Sequence, residues 1–307
     1  MPVVRKPHRI AVLFSDLHLT LNKPACRDDE DWMAVQAHYL KQLKDFAKPE
    51  GLPIIFAGDL FDRWNVQPEL INFALEHLPD DMISIPGQHD LPNHRLDQMH
   101  RSGYGVLAEC GKIKDISGGS DPAGVHCPGG GFLAYGFAWG EEIRPPMSPL
   151  VGLAVIHRYC WAPGKSYPGA PKESAYSAFK KKLKGYHAAV FGDNHIGFQA
   201  VSGKCNIINT GTFIRRKSDE RGYRPRFGVL YSDGSIKSKF LDTSIDRFFE
   251  KDDEREEVPV NIVDFVKGLQ ALGEEGLNFK ETVRRHIDKE DLDERTEEII
   301  LKSLEDE

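Results

Sequence analysis

The stretch Ile54-Ile55-Phe56-Ala57-Gly58-Asp59-Leu60-Phe61-Asp62 decides how the rest of this 307-residue chain is read. Four apolar residues form a strand and run directly into Gly58 and two acids. Uninterrupted apolar strands belong to buried parallel sheets, whose carboxyl ends collect ligands. Asp59 and Asp62 are thereby placed at such an edge. By itself the segment is equally a tight turn carrying solvated acids. Four further strand ends supply hard donors of the same kind: Asp16 with His18, Gln88 through Asp90, His157, and Asp193 with His195.

Taken in order, the chain alternates strands and helices. Arg9–Phe14 reads as the first core strand, and residues 28–47 carry Trp32, Val35, Tyr39, Leu43 and Phe46 at helix-compatible spacing. Pro49 and Gly51 close that helix. After Ile54–Ala57, residues 68–78 predict a second helix and Met82–Ile85 a third strand. Units of this kind put connections on both faces of a sheet. Beyond Leu107 the rhythm shortens. Residues 117–131 hold six glycines and two prolines and read as a loop. Residues 132–137, 151–156, 188–191, 198–201, 206–208, 227–230 and 236–241 are expected to be strands. Residues 161–171, rich in Pro and Gly, either overhang the site as a lid or form a plain surface loop. From Val260 the pattern is helical: Ile262, Phe265, Val266 and Leu269 share one face, followed by Val283, Ile287, Ile299, Ile300 and Leu304. The expected organisation is a catalytic body over residues 1–241 and an acidic helical extension over 242–307.

Hydrophobic residues at 40% and charged residues at 28% are those of an ordinary globular protein. The apolar run 10–14 is too short for a signal core or a membrane span, so a cytoplasmic location is expected. Five cysteines without a C-x-x-C pair speak against a disulfide framework and a zinc ribbon. The net charge of −7 conceals an asymmetry: from Asp242 onward 10 basic residues face 22 acidic ones, whereas residues 1–241 carry 30 against 25. A mildly basic body and an acidic tail have different tasks.

The donors argue for divalent ions. In Asp16-Leu17-His18 an extended backbone would place carboxylate and imidazole on one side, because side chains alternate with period two. Asp59 can bridge two cations about 3.5–4 Å apart, the separation of two-metal hydrolytic sites. Gln88 adds an amide oxygen suited to hard ions. His157 ends an apolar run and is either a satisfied core histidine or a ligand, while Asp193-Asn194-His195 repeats the carboxylate-x-imidazole arrangement.

The ordered set D-L-H, G-D-L-F-D, G-Q-H-D, a lone His and G-D-N-H, within residues 9–215, resembles the five-motif signature of the calcineurin-like metallophosphoesterases. G-D-L-F-D in particular is similar to the SbcD-type nuclease subunit of double-strand-break repair complexes. The resemblance implies an α/β four-layer sandwich, two mixed β-sheets flanked by helices, with a helical C-terminal extension. It implies Asp16, His18, Asp59 and His195 around one of two divalent cations, and Asp59, Gln88, His157 and Asp193 around the other. His89 would be the general acid, held by Asp90. Three positions depart from the pattern: Gln88 replaces the usual Asn, Asp193 the first His of G-H-x-H, and Thr20 the glycine of D-x-H-L-G. The harder donors favour Mn²⁺ or Mg²⁺ over Zn²⁺.

Two cations acidify a bridging water that attacks phosphorus in line with the scissile bond. Imidazoles titrate near neutrality, which suits His89 to protonate the leaving alkoxide. Asp62 orients a ligand or caps its turn. Arg63, His94 and Arg95 either meet a phosphate or lie on plain exposed surface. Two basic clusters have the same alternatives: Lys180, Lys181, Lys182 and Lys184 on a predicted helix, and Arg215, Arg216 and Lys217 after the last motif. DNA phosphodiester hydrolysis is the leading expectation. The alternatives are a small-molecule phosphatase or cyclic-nucleotide phosphodiesterase, and a metal-degenerate scaffold that binds DNA or a partner without turnover. The apolar stripes of the tail need cover, from this body or from another protein. By resemblance, that protein would be a coiled-coil ATPase of SbcC type. Oligomeric state is left open, a homodimer included.

Overall fold

The computed structural model of the protein describes residues 6–118, 122–127, 130–146, 150–167 and 169–249. The apolar stripes between Ile262 and Leu304 lie outside the described residues. Within them, twelve strands form two mixed six-stranded sheets. The first runs β12 (Ile236–Phe240), β11 (Arg226–Tyr231), β1 (Arg9–Phe14), β2 (Ile54–Ala57), β3 (Met82–Ile85), β4 (Ile113–Asp115). The second runs β5 (Ala123–Cys127), β6 (Gly130–Phe137), β7 (Gly152–His157), β8 (Ala188–Gly192), β10 (Cys205–Asn209), β9 (Phe198–Ser202). Pairing is parallel from β1 to β4 and from β6 through β7 and β8 to β10, and antiparallel at the margins.

Period-two alternation divides the central strands between neighbouring cores. Val12, Phe14, Ile54 and Phe56 face outward to α1 (Trp32–Ala47), α2 (Pro68–His77) and α3 (Gly103–Glu109), meeting Tyr39, Leu43, Leu70, Ala74, Tyr104 and Leu107. Ala11, Leu13, Ile55 and Ala57 face inward against Leu153, Val155, Ala188 and Val190 of the second sheet. Ala154, Ile156, Ala189 and Phe191 form a third core with Phe179, Leu183 and Tyr186. The expected four-layer sandwich is therefore present, its outermost layer on the second sheet built from short 3₁₀ segments at Lys172–Ser174 and Tyr176–Lys180. No helix of the described residues is long and apolar enough to cross a membrane.

Three local expectations are corrected. Residues 117–131 are not one loop: Ala123 and Val125 alternate into the inter-sheet core while β5 pairs with β6, and that pairing overrides the glycines. The helix expected under Lys180 to Lys184 is a 3₁₀ segment, Tyr176–Lys180, followed by a turn that Gly185 closes in the left-handed region at φ 99°. Helix α3 has no counterpart among the expected elements; Ser102 caps it by accepting the Gly105 N–H at 3.1 Å.

Residues after β12 fold back onto α1. Arg27 is fully buried and bonded to Asp29 at 2.6 Å, with Asp246 3.1 Å away. Asp246 also accepts from the Tyr39 hydroxyl at 2.6 Å and from Arg215 Nε at 2.7 Å. The Phe248 ring lies 4.6 Å from the Arg27 guanidinium. Arg27→Met leaves the buried Asp29 without its cation and Asp246 with Arg215 alone, so it is expected to cost about 3–5 kcal/mol in urea unfolding, and adding Asp29→Asn should recover part of the loss.

Candidate metal centre

Strands β1, β2, β3, β7 and β8 end at one edge of the sandwich, and the motif loops there are stitched to one another. Asp16 N–H donates to the Gly58 carbonyl at 3.0 Å, Leu17 and His18 N–H to Asp59 at 3.0 Å, and Leu19 N–H to Leu60 at 2.8 Å. The extended geometry expected for Asp16 and His18 is absent. Asp16 (φ 53°), His18 (φ 47°), Asp59 (φ 62°) and Asp193 (φ 77°) all take the left-handed conformation. Side-chain alternation then no longer applies; loop-to-loop hydrogen bonds aim these donors. Asp and His tolerate that region better than most residues, and such strain gathers where function over-determines the backbone.

Glycines permit the crowding. A Cβ on Gly58 (φ 89°) or Gly192 would run into the His157 ring, and one on Gly87 into the Asp59 carboxylate. His157 Nδ1 donates to the Ala57 carbonyl at 2.6 Å, which turns Nε2 toward Asp59 Oδ2, 3.4 Å away. On the other side of the same oxygen lies His18 Nε2 at 3.6 Å, itself 3.1 Å from His195 Nε2. Asp16 Oδ1 stands 4.0 Å from His195 Nε2 and accepts the Asp193 N–H at 2.9 Å. Gln88 Nε2 donates to Asp193 Oδ1 at 2.7 Å.

Electrostatics follow from this burial. Burial and the positive charge of Lys217 and Arg216 bring the His195 imidazole down to about 4, and burial together with Arg216 holds His18 well below the usual range. Both are neutral donors at physiological pH. Burial pushes His157 down as well, but the Asp59 carboxylate 3.4 Å away outweighs it and carries it up to about 10. Asp16 is raised to about 7 by burial, reinforced by Asp59.

The arrangement fits divalent cations. His18 Nδ1, Asp59 Oδ2, Gln88 Oε1 and His157 Nε2 are buried without a hydrogen-bond partner, a costly state for polar atoms. Donor atoms lie within 4.8 Å of one another in three groups: Asp16, His18 and His195; His18, Asp59 and His89; Asp16, Asp59 and His157. Around an octahedral ion with bonds of about 2.1 Å, adjacent donors stand about 3 Å apart. The separations of 3.1, 3.4 and 3.6 Å are close to that edge length.

His89 and Asp90 part company. The Asp90 carboxylate accepts the Leu60, Phe61 and Gly87 N–H groups at 2.9–3.0 Å and does not hold the His89 ring. That ring's Nδ1 meets the Asp62 carbonyl at 2.9 Å, and its backbone N–H donates to Asp59 Oδ1 at 3.0 Å. Asp90 is thus the clamp of the G-D-L-F-D turn, because three backbone amides, two of them about thirty residues away, compete successfully for its oxygens. Arg216 Nη1 bonds Asp62 at 2.6 Å beside His18, whereas all three Arg215 nitrogens are committed to Asp246, Arg221 and Thr243, away from the donors. Arg63 is exposed, Arg95 pairs with Asp97, and His94 (φ 57°) faces Trp139 with ring centroids 6.4 Å apart. The lysine cluster precedes β8 at the opposite end of the strand from Asp193.

Two supporting residues escape a reading of the sequence. Glu220 caps the Arg216 and Lys217 N–H groups at 2.6 and 3.0 Å and faces His195 Nδ1 at 4.0 Å. Asn194 donates to the Cys160 and Lys165 carbonyls at 2.9 and 3.0 Å, tying the 161–171 segment to the last motif. A polar residue lodged between Asp193 and His195 was the available signal for Asn194; nothing local marks Glu220.

Asp90→Ala should cost about 1–3 kcal/mol for each amide it orphans, read as a lower melting temperature of the cation-free chain. His157 Nε2 can serve a cation only after losing the proton it holds up to about pH 10. Mn²⁺ affinity is therefore expected to rise with pH across the neutral range. Calorimetry in buffers of different ionisation enthalpy should show net proton release on binding at pH 7; equal heats in all buffers would contradict it.

No curated protein matches this sequence. Among solved structures, an archaeal phosphodiesterase is 13% identical with a TM-score of 0.39, over 75% of this chain and 99% of the other. A protein of Thermus thermophilus is 11% identical with a TM-score of 0.45, over 76% and 99%. The Thermus thermophilus sulfate thiohydrolase SoxB is 10% identical with a TM-score of 0.46, over 77% and 57%. The family model described as Calcineurin-like phosphoesterase matches residues 10–197, a span that holds β1 to β8 and every donor from Asp16 to His195. That span is more than half of the sequence, and the chain belongs to the calcineurin-like phosphoesterase family.

Proposed function

We propose that the protein is a two-cation phosphodiesterase acting on DNA, with Mn²⁺ as the favoured ion and Mg²⁺ as the alternative. Membership of the family makes it a metal-dependent phosphoester hydrolase by class. The observation that carries the two-cation reading is Asp59 Oδ2, a buried carboxylate oxygen without a hydrogen-bond partner, set between His18 Nε2 at 3.6 Å and His157 Nε2 at 3.4 Å. An oxygen so placed suits a bridge.

Asp16, His18, Asp59 and His195 would hold one ion, and Asp59, His157 and Gln88 Oε1 the other. Bound ions would polarise the phosphoryl oxygens and acidify water. The remaining work falls to the chain. Asp90 keeps the turn that carries Asp59 rigid. His89 is exposed and anchored through Nδ1, so its Nε2 can donate a proton to the leaving oxygen. Its ring centroid is 5.0 Å from that of His18, which keeps the acid beside the donor set. Arg216, 13% exposed and braced by Asp62, can meet a non-bridging phosphate oxygen.

DNA as substrate is supported by the basic surplus of residues 1–241 and by the G-D-L-F-D likeness. A coiled-coil ATPase partner remains tied to the likeness alone. The test is hydrolysis of labelled linear and circular DNA in Mn²⁺ beside a nitrophenyl phosphodiester. Cleavage of DNA that weakens steeply with salt supports the reading; efficient turnover of small esters with DNA untouched refutes it. His89→Ala is expected to retain Mn²⁺ and lose about 10²–10⁴-fold on DNA, with a much smaller loss on the nitrophenyl ester. An equal loss on both would remove the proton-donor role.

A further inference from the structure

The Gln88 side chain has two unlike ends, and the structure treats them differently. Its Nε2 donates to Asp193 Oδ1 at 2.7 Å, a short charge-assisted bond, while its Oε1 is buried without a partner. The opposite amide orientation would set two acceptor oxygens against each other at that distance, so the bond also fixes which end is which. Asp193 is locked in its turn by a φ of 77° and by its N–H to Asp16 Oδ1 at 2.9 Å. Among the described residues its carboxylate belongs to none of the clustered donor groups, although Asp16, Asp59 and His157 form one beside it.

We propose that Asp193 is a positioning residue: it holds the Gln88 amide so that Oε1, and not the Asp193 carboxylate, is the donor turned to the second cation. The inference rests on the two-cation reading above. Glutamine has several rotatable bonds, and pointing its oxygen without a clamp would cost side-chain entropy at the moment of binding. A shorter aspartate across the site removes that cost by gripping the nitrogen.

Mn²⁺ binding to the full chain, followed by electron paramagnetic resonance of free Mn²⁺, tests this without reference to turnover. Asp193→Ala should weaken the weaker of two sites on the order of 10–100-fold and leave the tighter one near wild type. Gln88→Ala should do the same, and the double variant should bind no worse than Gln88→Ala alone. Asp193→Asn, which keeps an acceptor oxygen for Nε2, should recover most of the loss. Should Asp193→Ala not fold, Gln88→Leu with and without Asp193→Asn closes the same cycle, again with no added loss expected. Additive losses, or an Asn variant as weak as Ala, would make the carboxylate a direct ligand and overturn the proposal. A wild-type chain that binds fewer than two Mn²⁺ removes the two-cation reading, and this inference with it.

Discussion

A carboxylate taken fully out of water has to be compensated, and Asp59 is the place where this fold meets that requirement. One oxygen accepts a backbone N–H from His89; the other faces two imidazoles and has no hydrogen-bond partner. Leaving such an oxygen unpaired in a low-dielectric interior is far costlier than leaving it in water. The surrounding parts are consequences of keeping it there. Gly58 and Gly192 give the His157 ring room and Gly87 the Asp59 carboxylate, Asp90 clamps the turn, and the Ala57 carbonyl orients the His157 ring.

Much of this was legible in the residue order. Apolar runs that end in Gly-Asp or in a lone His reveal both the strand and the address of its last side chain, as β2, β7 and β8 do. The donors could be read because each sits within a few residues of a strand end, a purely local property. What stayed hidden depends on partners distant in sequence. Asp90 looks like a companion of His89 until the Leu60 and Phe61 amides are seen to claim it. Arg215 and Arg216 are adjacent and chemically alike, yet one bonds Asp246 and the other Asp62. Strand β5 was masked by glycines whose flexibility is overruled once β6 offers a ladder.

Strain and charge are distributed together in this centre. The four residues of the centre with positive φ, Asp16, His18, Asp59 and Asp193, are of types that bear the left-handed region comparatively well, and aspartate and histidine are also common metal ligands. Backbone conformation and coordination chemistry thus select the same small set of amino acids. Longer carboxylates would satisfy the second demand and resist the first.

The return of the chain after β12 also says where the body can be cut. Asp246 and Phe248 complete the surroundings of a guanidinium that has no access to water, so they belong to the interior although they follow the last strand. A shortened version ending with β12 would expose Tyr39 and strip Arg27 of one of its two acids. One ending at Phe249 keeps that enclosure whole, and is the truncation point that respects how the polypeptide is packed.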